Sequence, residues 1–225
     1  SGLEPPHLHE VDHAGEGGGA KLIVVDPRFT QTATKADLYA PLRSGTDIAF
    51  LGGMIRYIVE NKLYFKEYVV NYTNASFLVN PDYKGPGELD GLFSGYDAKT
   101  RKYDRKTWSY QMDENGVPKK DLTLQDPHCV LQLLKKQYSP YTPEKVSNIT
   151  GTPQEKLVEV YKLFGSTGKP NKACTSLYAM GWTQHTIGTQ NIRTMCIIQL
   201  LLGNVGTAGC GINALRGEGN VQGST

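Results

Sequence analysis

Residues Lys21–Asp47 read K-L-I-V-V-D-P-R-F-T-Q-T-A-T-K-A-D-L-Y-A-P-L-R-S-G-T-D, and the rest of the chain is organised around them. The β-branched run Leu22–Val25 is typical of a strand buried on both faces. Proline at position 27 donates no backbone hydrogen bond, so the strand is expected to end there. After a polar loop, R-S-G-T-D leads into an apolar segment of helical length, Ile48–Glu60, which Thr46 or Asp47 can cap.

A second unit repeats this arrangement later in the chain. The segment Ala173–Met180 is predicted to be a buried strand, G-W-T-Q-H follows it, and a helix is expected from Thr186 to Leu202. The loops that follow two parallel strands meet at one edge of an open sheet and form a ligand crevice. The sequence therefore predicts an α/β fold with a doubly wound, mostly parallel, Rossmann-like sheet and helices on both faces.

Composition excludes several classes of protein. The chain has 225 residues and a formal net charge of +2, so its bulk charge does not favour binding to nucleic acid or a membrane surface. No apolar run reaches the roughly 20 residues that span a bilayer. The four cysteines are scattered without a C-x-x-C pair, so neither a zinc site nor an iron–sulfur site is expected within the chain.

Three segments depart from this α/β pattern. Residues 1–18 have no period and are predicted to be a disordered or non-native leader; a metal cluster of His7, His9 and His13 is disfavoured there because nothing would hold the ligands in a fixed geometry. Residues 77–125 are polar and are predicted to be a surface insertion with a β-hairpin around the turn at 113–116. Residues 204–225 are glycine-rich and aperiodic, which is typical of a binding loop or a severed connection.

Four motifs together resemble the molybdopterin oxidoreductase family, and most closely its formate dehydrogenase catalytic subunits of the periplasmic respiratory type. They are D-P-R-F-T-x-T-A, R-S-G-T-D, Y-A-M-G-W-T-Q-H and L-L-G-N-V-G-x-A-G-x-G-I-N-x-L-R-G-E-G-N-V-Q-G. The resemblance covers residues 19–225 and implies a bis(molybdopterin guanine dinucleotide) cofactor with molybdenum or tungsten. It also implies two-electron oxidation of formate, a 4Fe-4S cluster bound upstream, an iron–sulfur partner subunit and a periplasmic location.

The resemblance assigns cofactor contacts to loops of this chain. The loop that holds one guanine dinucleotide matches Asp26, Pro27, Arg28 and Thr30. The second such loop, in which a carboxylate accepts from the guanine N1 and N2 hydrogens, matches Gly45, Thr46 and Asp47. A loop near the pterin matches Met180, Gly181 and Gln184.

The tail carries the remaining assignments. Arg216 matches the arginine that lies beside the metal and orients formate, a role suited to a planar guanidinium that is always charged. Backbone and amide groups at the cofactor edge match Gly217, Asn220, Gln222 and Gly223. No residue of this chain matches a metal ligand.

Structural roles compete with several of these assignments. Arg28 is alternatively a surface ion-pair residue, Asp47 a helix cap, and Met180 a core residue. His185 is interpreted as a structural histidine rather than a catalytic one.

The match to the family also predicts what lies outside the chain. The cluster cysteines, the metal-ligating selenocysteine or cysteine and the following histidine lie upstream of the matched region, so the chain is expected to be an internal, truncated domain that is inactive alone. One choice of codons for residues 4–17 reads, one base later, N-H-P-I-S-M-K-W-I-T-R-A-R-E, which fits the family segment expected there. A shifted reading frame is therefore the hypothesis for the leader.

Three other functions stay open on the residues alone. A sister molybdenum enzyme of the nitrate or sulfoxide reductase type shares most motifs, although the R-G-E-G-N-V-Q-G tail disfavours it. An NAD-binding Rossmann enzyme is disfavoured because no G-x-G-x-x-G follows a strand. A non-catalytic nucleotide-binding or interaction module would use the 77–125 insertion as its surface.

Overall fold

The computed structural model describes residues 19–215. Its helices and strands occur in the order β1 (Ile23–Val25), α1 (Gln31–Thr34), β2 (Leu38–Ala40), α2 (Asp47–Glu60), α3 (Lys66–Tyr72), β3 (Tyr96–Asp97), β4 (Lys102–Tyr103), α4 (Val130–Tyr138), α5 (Pro143–Thr150), α6 (Gln154–Gly165), β5 (Thr175–Tyr178), α7 (Met180–Thr183), α8 (Gly188–Leu201) and β6 (Gly211–Ala214). The α/β class expected from the sequence is confirmed.

The parallel strands occur as two pairs. β1 pairs in parallel with β2, and β5 pairs in parallel with β6. Within residues 19–215 the two pairs are separate two-stranded sheets and are not joined into one continuous sheet, and β3 and β4 form a short antiparallel pair. Each parallel pair nevertheless ends in loops at its carboxyl edge, the arrangement on which the prediction of a ligand crevice depends.

Burial of the strands is more limited than the sequence suggests. Ile23 and Ile212 pack against the hydrophobic core, but Val25 is 36% exposed and Leu177 is 48% exposed. The prediction that Leu22–Val25 is buried on both faces is therefore wrong within the described part of the chain. The physical reason is that the helical layer covers each strand only partly. Val25 shares a face with Ile23 but ends its strand and stays exposed, whereas Leu177 is on the face of β5 opposite to the buried Ser176.

Helix α2 is the centre of the helical layer and packs against α4, α5, α6 and α8. Its inward residues are almost all apolar and include Phe50, Met54, Ile55 and Ile58, each at most 3% exposed. A helix that is apolar around most of its circumference must be covered by neighbours on several sides. The sequence prediction of a helix over 48–60 is confirmed, with the helix beginning one residue earlier.

Two consecutive glycines let the neighbouring helices approach α2 closely. A Cβ at Gly53 would lie 2.6 Å from the Tyr161 hydroxyl, and a Cβ at Gly52 would lie 2.9 Å from the Tyr141 ring. The Tyr161 hydroxyl donates to the Phe50 carbonyl at 2.7 Å, and the Tyr161 and Phe50 rings pack edge to face with centroids 5.4 Å apart. Buried tyrosine is thus accommodated because both its ring and its hydroxyl have partners.

Two local predictions are corrected by the structure. Thr46 stands at the N-cap position of α2, but its hydroxyl donates to the Arg43 carbonyl at 2.6 Å and accepts no amide of the first turn. The tail predicted to be aperiodic contains strand β6, because pairing with β5 supplies the hydrogen bonds that its glycine-rich sequence does not favour locally. Gly203, just after the end of α8, has φ at +73°, the left-handed conformation common at helix C-termini.

The 77–125 segment lies between α3 and α4 in the chain. The predicted turn at 113–116 is present: the Gly116 amide donates to Asp113 O at 3.1 Å, and the Asp113 amide donates to Val117 O at 2.9 Å. A second hairpin, β3 with β4, was not predicted from the sequence. Beside it, the rings of Phe93, Tyr103 and Trp108 form an aromatic cluster with centroids 5.4 to 6.4 Å apart.

The last part of this segment is held by one carboxylate. The two oxygens of Asp121 accept from the backbone amides of Thr123, Gln125 and Asp126 and from the Thr123 hydroxyl, at 2.6 to 2.8 Å. The turn so formed carries Leu124 at φ +62° and buries its side chain completely. The Thr123 hydroxyl and these amides hold the pKa of Asp121 well below its ordinary value, against the opposite effect of burial.

Substituting Asp121→Asn is expected to lower the free energy of unfolding by about 1–2 kcal/mol near neutral pH, because the amide cannot accept all four hydrogen bonds. The folded-state pKa lies below the unfolded-state pKa, so the carboxylate stabilises fully above a pH of about 4 and loses its effect as the pH falls further. Urea denaturation at several pH values should show the two proteins converging in acid. The exposed Asp82, changed to Asn, is the control and should follow the wild type; a difference for Asp121→Asn that is constant down to strong acid would contradict the assignment.

Among the described residues, no helix has the length and apolar character required to cross a membrane. Over residues 19–215 no three His, Cys, Asp or Glu side chains are grouped so as to hold a metal ion. The leader histidines lie outside the described residues.

Candidate functional site

The loop that follows β1 is held in one conformation by its own side chains. Asp26 Oδ1 accepts from the Arg28 amide at 2.7 Å, and Thr30 caps α1 by accepting from the Ala33 amide at 3.3 Å. Tyr39 braces the loop from β2: its hydroxyl donates to the Asp26 carbonyl at 2.9 Å and its ring packs against Phe29. Pro27 and Arg28 are exposed at the surface of this loop.

The second loop, residues 43–47, joins β2 to α2. Arg43 anchors it, because Nη1 donates to the Asn148 and Ile149 carbonyls at 2.8 and 3.0 Å near the end of α5. Gly45 has φ +81°, a conformation that glycine adopts without strain. Asp47 is half-buried in the first turn of α2. Among the described residues its carboxylate has neither a hydrogen-bond partner nor an ion pair, and it complements the positive end of the helix dipole.

The third loop follows β5 and contains the short helix α7. Met180 is 65% exposed, so a role in the core is excluded for it. His185 Nε2 lies 2.7 Å from the Gly181 carbonyl and Gln184 Nε2 lies 3.4 Å from Met180 Sδ, and these contacts hold the turn together. A Cβ at Gly181 would have no described atom within 4 Å, so space is available beside this backbone.

These three loops occur at one edge of the structure. The Asp26 amide donates to the Ala40 carbonyl at 3.3 Å, which holds the first loop beside the strand that leads into the second. A Cβ at Gly45 would lie 3.9 Å from His185 Nδ1, so the second loop is next to the third. The first loop is therefore beside the strand that leads into the second, and the second is next to the third. These loops contain the predicted site residues Asp26, Pro27, Arg28, Thr30, Gly45, Thr46, Asp47, Met180, Gly181 and Gln184.

The remaining predicted site residues follow the last described strand. Arg216, Gly217, Asn220, Gln222 and Gly223 lie outside the described residues. The Leu215 amide donates to the Tyr178 carbonyl at 2.7 Å, so the end of β6 lies beside the strand that leads into Met180.

Sequence reasoning missed the residues that support the loops. Tyr39 and Arg43 support the loops through long-range contacts, which no local sequence pattern indicates. Trp182 stacks on Tyr178 with centroids 5.6 Å apart and ring planes at 20°. The helical spacing rule gives no signal for this pair, because Tyr178 ends a strand and Trp182 lies in the short helix α7.

Together these features define an α/β unit whose loops offer carboxylates, a guanidinium and glycine backbone at one edge. The model of the molybdopterin oxidoreductase family matches residues 6–225, and the chain belongs to that family. The family resemblance stated from the sequence is thereby confirmed.

Particular relatives are formate dehydrogenase subunits. The formate dehydrogenase subunit alpha of Megalodesulfovibrio gigas is 62% identical over 207 residues, which cover 92% of this chain and 20% of that protein. The nitrate-inducible formate dehydrogenase major subunit of Escherichia coli K12 is 58% identical over 212 residues, which cover 94% of this chain and 21% of that protein. The Haemophilus influenzae major subunit is 56% identical and covers 100% of this chain and 22% of its own length. The chain spans about a fifth of the length of these relatives.

A solved structure supports the fold. Acetylene hydratase from Pelobacter acetylenicus superimposes with a TM-score of 0.55 over 88% of this chain and 19% of its own, at 24% sequence identity. At that identity the likeness shows the fold alone.

Proposed function

We propose that this chain is the part of a formate dehydrogenase catalytic subunit that binds a bis(molybdopterin guanine dinucleotide) centre. The observation that carries the proposal is the identity of 56 to 62% to formate dehydrogenase alpha and major subunits along at least 92% of the chain. The proposed reaction converts formate to carbon dioxide, a proton and two electrons. The bound centre, containing molybdenum or tungsten, supplies the acceptor for the two electrons.

The residues of the three described loops suit such a ligand. Gly45 and Gly181 leave the backbone open to a cofactor, because neither carries a side chain and Gly181 borders open space in the described structure. The Asp47 carboxylate is suited to two adjacent N–H donors, the pattern that the N1 and N2 hydrogens of guanine present. The Arg28 guanidinium is exposed and suited to a phosphate oxygen. Asp26, Pro27 and Thr30 shape the first loop, and Met180 and Gln184 line the third.

The tail completes the proposal. Arg216 would hold the formate carboxylate with its planar fork of donors, fixing the orientation of the C–H bond that breaks. Gly217, Asn220, Gln222 and Gly223 would bring backbone and amide groups to the edge of the cofactor. The 4Fe-4S cluster and a selenocysteine or cysteine metal ligand would belong to the upstream part of the protein. An iron–sulfur subunit would accept the electrons, in the periplasm.

A sister molybdenum reductase is the second candidate. It shares the cofactor loops, but the three relatives compared above are named formate dehydrogenases, which favours formate as the substrate. The identity of the upstream metal ligand would separate the two candidates at the level of sequence.

Formate-dependent reduction of a viologen dye tests the proposal. The full-length protein, purified without oxygen, is expected to reduce the dye with formate, whereas the 225-residue chain alone is expected to be inactive because it spans only about a fifth of the length of its relatives. Nitrate or sulfoxide reduction by the full-length protein, without formate oxidation, would overturn the assignment in favour of the second candidate. Formate oxidation by the 225-residue chain would contradict its predicted inactivity.

A further inference from the structure

Two cysteines that are distant in the sequence are neighbours at the start of the β5–β6 pair. The strand register places Thr175 opposite Gly211 and Ser176 opposite Ile212, and the Gly211 amide donates to the Cys174 carbonyl at 3.3 Å. Extending this register by one step would place Cys174 opposite Cys210. Neighbouring strands lie about 4.8 Å apart, which falls inside the range of about 4.4–6.8 Å between Cα atoms that a disulfide requires.

The two thiols are on the same face of this strand pair. Side chains alternate between faces along a strand, and opposite residues share a face. Ser176 is buried and Ile212 packs against the core, whereas Leu177 on the other face is 48% exposed. Cys174 lies two residues before Ser176, and Cys210 Sγ lies 3.5 Å from Oδ1 of the buried Asn204, so both thiols are on the core side; both are half-buried.

A hydrogen-bond network holds this corner of the structure. Cys210 Sγ lies 3.5 Å from Asn204 Oδ1, and Asn204 Nδ2 donates to Gln199 Oε1 at 2.6 Å. Gln199 Nε2 in turn donates to Ser176 Oγ at 3.0 Å and to the Gly211 carbonyl at 3.1 Å, which ties both strands to α8. Burial and, to a lesser degree, the neighbouring Cys210 thiol raise the pKa of Cys174 to about 12.

We propose that Cys174 and Cys210 form a reversible intramolecular disulfide when the folded chain meets a low-molecular-weight disulfide. The Cys210 thiolate attacks one sulfur of the oxidant, forms a mixed disulfide and releases the first small thiol. Cys174 then loses its proton and attacks the sulfur of Cys210, which releases the second small thiol. Two protein thiols are oxidised and one small disulfide is reduced to two thiols, so atoms and electrons balance.

The Cys174–Cys210 disulfide would cross-link a part of the fold that has little stability of its own. A two-stranded sheet has little stability of its own, and the segment before β6 contains positive-φ glycines at 203, 206, 209 and 211. A disulfide there ties this glycine-rich segment to β5, at the end of the strand pair opposite to the candidate site. We therefore expect oxidation to reduce proteolytic cleavage of residues 203–211.

Thiol counting after oxidation tests the proposal. The fully reduced 225-residue chain, which has four cysteines, is incubated with oxidised glutathione, quenched in acid and titrated for free thiols after denaturation. The expected fall is from four thiols to two, with a cross-linked peptide joining Cys174 to Cys210 in a mass map. Cys196→Ser and Cys129→Ser are the matched controls and should still form the cross-link. Cys174→Ser and Cys210→Ser should not.

Three outcomes would overturn the proposal: four free thiols after oxidation, a stable glutathione adduct on Cys210 without closure, or a different cysteine pair. A parallel oxidation in concentrated urea shows whether the folded geometry is responsible, and a cross-link as abundant in urea as in the folded chain would also overturn it. The readout is independent of formate chemistry, so its failure would leave the proposed function untouched.

Discussion

Substituting Tyr161→Ala is expected to lower the free energy of unfolding by about 3–5 kcal/mol, the cost of emptying a large aromatic site in a packed core. Tyr161 is fully buried and lies between Phe50 and Tyr57, and its hydroxyl donates to the Phe50 carbonyl at 2.7 Å. The neighbouring α2 backbone cannot collapse into the cavity, because α2 is held from other sides by α4, α5 and α8. The cavity term should therefore be nearly complete.

Urea denaturation of the chain measures this effect. Tyr161→Phe is the matched variant, because it keeps the ring and removes only the hydroxyl; it should cost about 1 kcal/mol. Tyr72→Ala, at a tyrosine that is 75% exposed, should change stability by about 0.5 kcal/mol or less. A loss below about 1 kcal/mol for Tyr161→Ala would mean that this residue is not a fixed part of the core.

The second large effect concerns the cofactor and depends on the proposed function. Asp47→Asn in the full-length protein is expected to weaken retention of the pterin dinucleotide about 100-fold. The charged carboxylate accepts two hydrogen bonds, whereas the amide accepts one and directs its own N–H donor at the second N–H of the ligand. The first turn of α2 is a suitable place for such an acceptor. Asp47 is half-buried there and has no side-chain partner among the described residues.

Glu60→Gln is the matched control for Asp47→Asn. Glu60 is on the same helix at its other end, where it pairs with Arg56 at 3.0 Å, and the change again converts a carboxylate to an amide. Pterin released from each purified variant is measured by fluorescence, and thermal unfolding is measured beside it to separate lost binding from lost folding. Equal cofactor content in the two variants would remove Asp47 from the binding site while leaving the family assignment intact.

Elements with a strong local pattern were predictable from the sequence. The helix expected over 48–60 is observed as Asp47–Glu60, and the helix expected over 186–202 is observed as Gly188–Leu201. The strand expected over 173–180 is shorter, at Thr175–Tyr178. In each case the signal is a pattern among neighbouring residues: apolar periodicity, or a β-branched run ended by proline or glycine. Because neighbouring residues set the local backbone preference, such a pattern predicts the element.

The strands β2 and β6 were not predictable in this way. Leu38–Ala40 and Gly211–Ala214 are short, and the second begins with a glycine. They become strands because β1 and β5 present unpaired backbone donors and acceptors beside them, and a parallel partner satisfies these groups. The helices that pack on a strand determine which of its side chains are covered, so the exposure of Val25 could not be inferred from an apolar run.

Some features of the candidate site were likewise predictable from the sequence, and others were set by the tertiary structure. The residue types of its loops, with their glycines, carboxylates and guanidinium, are properties of the sequence, and the family membership that gives them meaning was recognisable there. That these loops lie at one edge was expected from the two strand–loop–helix units, but the approach of Gly45 to His185 was decided by the tertiary structure. So was the register of β5 with β6, which places Cys174 and Cys210 at the same end of that strand pair and which no spacing in the sequence indicates. Local preference acts over a few residues, whereas hydrogen-bond pairing and core packing join residues at any separation along the chain, and only the folded chain specifies which of them meet.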